Sequence, residues 1–71
     1  MLKAGQTIFN GNSSIVDCTV RSLSAEGAGV DISSSAGIPA EFILAIRADD
    51  LRRTCHVLAR KVNHLDVAFS S

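Results

Sequence analysis

The chain contains no tryptophan and no tyrosine, and its only aromatic residues are three phenylalanines. With so few flat rings, a surface that stacks the bases of single-stranded nucleic acid is not expected, and no nucleic-acid partner is assigned. Net charge is missing too, because seven Lys and Arg balance seven Asp and Glu. No long-range field draws such a protein toward nucleic acid or an anionic membrane, so any anion must be held locally. The same balance leaves little repulsion between copies and permits a homo-oligomer. No apolar run approaches the roughly 18 residues of a membrane helix, and residues 1–9 carry one lysine and no stretch of signal-peptide character. A cytoplasmic address without a membrane partner is the expectation.

Soft ligands and nucleophiles are also scarce. Cys18 lies between Val16 and Val20, and Cys55 stands two residues before Val57. Both positions suit free core thiols of a reduced protein, and without a CxxC motif no zinc site is expected. His56 and His64 sit beside apolar or turn residues, and no serine or cysteine is placed as an activated nucleophile, so an enzymatic role is not expected. The Gly27-Ala28-Gly29 run lacks the further glycine, the lysine and the following helix of a phosphate loop.

What is present is apolar alternation. At 71 residues, with 46% hydrophobic against 20% charged, the chain has material for one packed domain (1–71) that buries about 60% of its extended surface. Thr7-Ile8-Phe9 is β-prone, Asn10-Gly11-Asn12-Ser13 tolerates positive φ, and residues 14–21 place Val16, Cys18 and Val20 on one face with Asp17, Thr19 and Arg21 on the other. This is a hairpin. Residues 22–27 break the pattern as a turn, where serines can bond the local backbone and Gly27 has conformational freedom. Val30 and Ile32 alternate with Asp31 before Ser33-Ser34-Ser35-Ala36-Gly37 and Pro39 end the strand.

Residues 41–62 carry two patterns. As strands, Phe42, Leu44 and Ile46 line one face, residues 48–53 form a polar connection, and Cys55, Val57 and Ala59 turn inward on the return. As one helix, Leu44, Ala48, Leu51, Cys55, Leu58 and Val62 make a continuous stripe. The helix leaves Phe42, Ile43, Ile46 and Val57 off the stripe, and Ile38 stands where a capping residue is preferred. Two strands are favoured. Leu65, Val67 and Phe69 form a last strand after an Asn63-His64 turn.

The order Cys18-Thr19-Val20-Arg21, Ser22-x-Ser24-x-x-Gly27, Gly37-Ile38-Pro39, Phe42-x-Leu44-x-Ile46, Cys55-x-Val57 and Val67-x-Phe69 resembles a PilZ domain over nearly the whole chain. The resemblance implies a mostly β fold, a small antiparallel barrel of about six strands, here without a clear C-terminal helix. It also implies a bacterial signalling module whose ligand in typical members is cyclic di-GMP. Family members bind that ligand through an RxxxR stretch before the barrel and a [DN]xSxxG turn after the second strand. Guanidinium forks grip phosphate oxygens and stack on guanine, and turn amides supply the remaining contacts.

Carried over residue by residue, Ser24 and Gly27 match the turn motif and Ser22 replaces its Asp or Asn. Lys3 is the only cation near the place of the arginines, with Arg21 and Arg60 as further candidates for the ligand. A lysine cannot act as a fork, so the expectation is that cyclic di-GMP binding is weak or lost, or that the arginines lie upstream of Met1. Family members usually carry a helix after the barrel, so the surface it would cover is expected to be exposed or covered by another copy. A nucleotide-independent adaptor for an unknown protein partner, using the barrel surface or a sheet edge, is the alternative. A barrel for single-stranded nucleic acid is the weaker one.

Overall fold

The computed structural model describes residues 2–70. The apolar alternation folds into six strands: β1 (Lys3–Phe9), β2 (Ser14–Leu23), β3 (Gly27–Ile32), β4 (Glu41–Ile46), β5 (Leu51–Arg60) and β6 (His64–Phe69). A 3₁₀ turn, Arg47–Asp49, links β4 to β5. Every neighbouring pair is antiparallel, and the order β1-β2-β3-β6-β5-β4 closes into a barrel. The expected small barrel is thus what forms, with residues 41–62 as two strands. Burial explains the outcome: the strand stripe fully buries Leu44, Ile46 and Cys55, whereas the helical stripe would need Leu58 and Val62, which are 66% and 78% exposed. No helix among the described residues is long and apolar enough to cross a membrane.

Local pairing dominates the topology. Chain-neighbouring strands make two three-stranded meanders, β1–β2–β3 and β4–β5–β6, joined by the loop 33–40. The meanders meet along two seams, β1 against β4 and β3 against β6. In the first hairpin Asn10, Gly11 and Asn12 take φ values of 53°, 63° and 72°, the left-handed region that Asn and Gly enter at least cost. Their sequence therefore fixes the register that sets Phe9 opposite Ser14.

Val20, Val30, Leu44, Ile46, Cys55 and Leu65 fill the interior, each larger side chain contributing about 1.5–3 kcal/mol by leaving water. Thr7 is the polar residue among them at 0% exposure, and its hydroxyl donates to the Val16 carbonyl at 3.1 Å; among the described residues no buried side-chain polar atom lacks a hydrogen-bond partner. At one end the loop 33–40 closes the barrel. Ile38 inserts there, Ser35 Oγ donates to Lys61 O at 2.6 Å, and Asn63 Nδ2 donates to Ser33 O at 2.7 Å.

Several boundaries differ from the sequence reading. β1 begins at Lys3, ahead of Thr7; β5 begins at Leu51, so Arg52 and Arg53 are strand residues; and His64 opens β6 instead of lying in a turn. The segment 22–27 shrinks to a turn over 24–26. Ala59 does not point inward: the β5–β6 register slips between Val57 and Ala59, so that Leu58 is an extra residue. A one-residue bulge reverses the facing of the residues beyond it, and Ala59 lies exposed opposite Asp66. The β2–β3 ladder slips likewise between Val20 and Ser22, with Arg21 as the extra residue.

Candidate functional site

The site starts from the bulge at Arg21 in β2. Without it Ser22 would continue the inward parity of Cys18 and Val20; with it, Ser22 pairs outward with Gly29, and its Oγ accepts the Gly29 N–H at 3.1 Å. Beyond Leu23 the chain turns through residues 24–26 under the control of Ser24. Its hydroxyl lies 3.3 Å from the N–H groups of both Glu26 and Gly27 and 3.2 Å from Gly27 O. Gly27 serves by absence of bulk and does not take a positive φ. A Cβ there would fall 2.2 Å from the Val67 carbonyl oxygen, so this glycine is what lets β3 approach β6.

An open groove of about 920 Å³ runs beside this turn, lined by Ser22, Ser24 and Gly27 on one side and by Arg53, Leu58, Asp66 and Phe69 on the other. The Arg53 guanidinium carbon stands 5.2 Å from the centre of the Phe69 ring, within range for a cation held over an aromatic face. Leu58, pushed out by its bulge, supplies an exposed apolar side chain. The groove therefore offers one guanidinium, small hydroxyls, a carboxylate and an apolar corner.

The structure brings together three of the six residues assigned from the sequence, Ser22, Ser24 and Gly27. Lys3 starts β1 at the same end of the barrel but is tied to Asp49. Arg21 is not among the residues lining the groove and pairs with Asp31 at 2.9 Å. Arg60 lies at the opposite end, where it donates to Ser35 O and holds the loop 33–40. Arg53 is the residue that sequence reasoning missed. Parity counted back from the inward Cys55 puts Arg53 on the same side at the barrel mouth, opposite Leu44, but that count requires knowing that β5 starts at Leu51.

Cys18 and Cys55 are free and buried. Burial, with Asp17 adding repulsion, pushes the Cys18 thiol up to about 11. Burial likewise pushes Cys55 up to about 12, and its Sγ donates to Phe42 O at 3.5 Å. Both therefore remain unreactive thiols at neutral pH. Among the described residues no group of three or more His, Cys, Asp or Glu side chains could hold a metal ion. Compared with family models, curated proteins and solved structures, the chain matches none.

Proposed function

We propose that this chain is a PilZ-like signalling and interaction module that acts through the groove beside Ser22, Ser24 and Gly27, without an enzymatic step, and that cyclic di-GMP binds there weakly or not at all. The observation that carries this reading is how the polar groups are committed. Ser22 and Ser24 spend their hydroxyls on the backbone of Gly29, Glu26 and Gly27, and Arg53 is the only Lys or Arg lining the groove among the described residues. A cyclic dinucleotide presents two phosphates and two guanines, and one guanidinium resting on Phe69 serves a fraction of them.

Calorimetric titration with cyclic di-GMP tests the reading on the chain as given and on a version carrying arginines before Lys3. The expected result is no binding at micromolar ligand by the former and measurable binding by the latter. Micromolar binding by the unaltered chain would overturn the assignment of a defective site.

A protein-binding adaptor is the second reading, favoured by Leu58, which is 66% exposed at the groove. Barrel closure restricts how such a partner docks. Each strand has hydrogen-bonded neighbours on both sides, so an added strand finds no full open edge, and the outer face has to provide the contact. Failure of both versions to bind nucleotide would favour this adaptor. Single-stranded nucleic acid fits poorly, since Phe42 is buried while Phe9 and Phe69 pack against the core.

A further inference from the structure

The seam between β3 and β6 carries a row of charges on its outer face. His64 stands directly opposite Asp31 and two residues before Asp66 on its own strand, so the three side chains share one face of the pleat. Nδ1 of His64 lies 2.7 Å from Asp31 Oδ1, and Nε2 lies 2.9 Å from Asp66 Oδ1. A neutral imidazole has one N–H and one acceptor nitrogen. With a carboxylate oxygen against each nitrogen, only the doubly protonated ring satisfies both contacts. Arg21, the bulged residue of β2, completes the row by donating to Asp31 Oδ2 at 2.9 Å.

The surroundings contain few other charges. Arg21 faces the row from β2, Asp31 from β3 and Asp66 from β6, while Asp17 of β2 and Lys61 of the turn before β6 line the adjoining groove. Arg21, Asp31, His64 and Asp66 together are neutral when the ring is protonated and carry one excess negative charge when it is not. Asp31 keeps Arg21 in either state. Asp66 has no other side-chain partner than His64 among the described residues.

We propose that His64 is a proton-operated clamp on the β3–β6 seam, bridging Asp31 to Asp66 while its ring is protonated and releasing Asp66 when the proton leaves. The seam is one of the two that close the barrel, and Asp66 also borders the groove that holds Ser22 and Gly27. The contacts set the sign of the effect. Hydrogen bonds to Asp31 and then Asp66 raise the His64 pKa above its ordinary value. The clamp's contribution is therefore complete below the unfolded-state value of about 6.5 and fades as pH rises through the folded-state value. Asp31 shifts the other way: hydrogen bonding to His64, aided by Arg21, lowers its pKa. That stabilisation is present above about 3.9 and is lost as pH falls through the lowered value.

Ring ¹⁵N and ¹H NMR of the unaltered chain across pH reads the clamp directly, with D31N and D66N as the perturbations. At about pH 6 the expected signal is a doubly protonated His64 ring whose midpoint lies above about 6.5 and falls in both variants, with the Asp66 amide moving at the same midpoint. A single-tautomer neutral ring at that pH, or a midpoint unmoved in D66N, overturns the proposal. Thermal melts supply a second readout: the deficit of H64Q relative to the unaltered chain should be larger at about pH 5.5 than at about pH 8.5. An equal deficit at both values also overturns it.

Discussion

Replacing Gly27 by alanine tests the reading that this position is fixed by closeness and not by backbone conformation. An added Cβ would sit 2.2 Å from Val67 O and 3.1 Å from Ala68 Cα, whereas real Cβ atoms essentially never come within 3.0 Å of a neighbour. Both obstacles are backbone, so no side-chain rotation relieves them, and β3 must move from β6 by roughly 0.8 Å. Forcing extra volume into a packed site costs about 1–3 kcal/mol, and G27A belongs at or above the top of that range because it strains a seam that closes the barrel. A domain of this length holds roughly 4 to 10 kcal/mol in total. The expected loss of about 3 kcal/mol corresponds to a fall in melting temperature of roughly 12–24 °C, measured by circular dichroism. G37A is the matched control, since a Cβ at Gly37 meets nothing within 4 Å, and it should melt within a few degrees of the unaltered chain or slightly above it. A G27A protein as stable as G37A would refute the argument.

Two further outcomes are set by the geometry. Cys18 and Cys55, pushed up to about 11 and about 12 by burial, should resist a thiol reagent at about pH 8 in the native state and react fully in denaturant; fast native labelling would contradict their burial. R60A removes the donor that holds Ser35 O, so it should lower stability by about 1 kcal/mol. The Ser35 and Ile38 amides should exchange faster while residues 22–27 are unaffected, because Arg60 stands at the other end of the barrel.

The strands were legible where one face is buried and the other is wet. Val16, Cys18 and Val20, Phe42, Leu44 and Ile46, and Leu65 and Val67 all show the period of two that a barrel wall imposes. The turn at residues 10–13 was legible because Asn and Gly advertise positive φ. The two bulges left no comparable mark. Arg21 and Leu58 are ordinary strand residues by type, and the slip they introduce is decided by how opposite strands meet, which no local pattern encodes. That is why Ala59 was misfaced. The same limit applies to the groove. Ser22, Ser24 and Gly27 could be named through the resemblance to the PilZ turn motif, whereas Arg53 and Phe69 reach the groove because β6 pairs with β3, a strand far from it in sequence.

The division of the barrel into two meanders has a consequence for how copies of the chain meet. Each half on its own leaves an apolar inner face wet, with Val20 and Val30 on one and Leu44, Cys55 and Leu65 on the other. Neither half is expected to persist alone, yet each is the other's complement. A chain nicked in the connection at 36–37, where Ala36 and Gly37 are exposed, should therefore reassemble from its fragments. Two intact molecules that straighten this connection can trade halves and rebuild both seams between them, a domain-swapped pair that needs no surface beyond the one already buried.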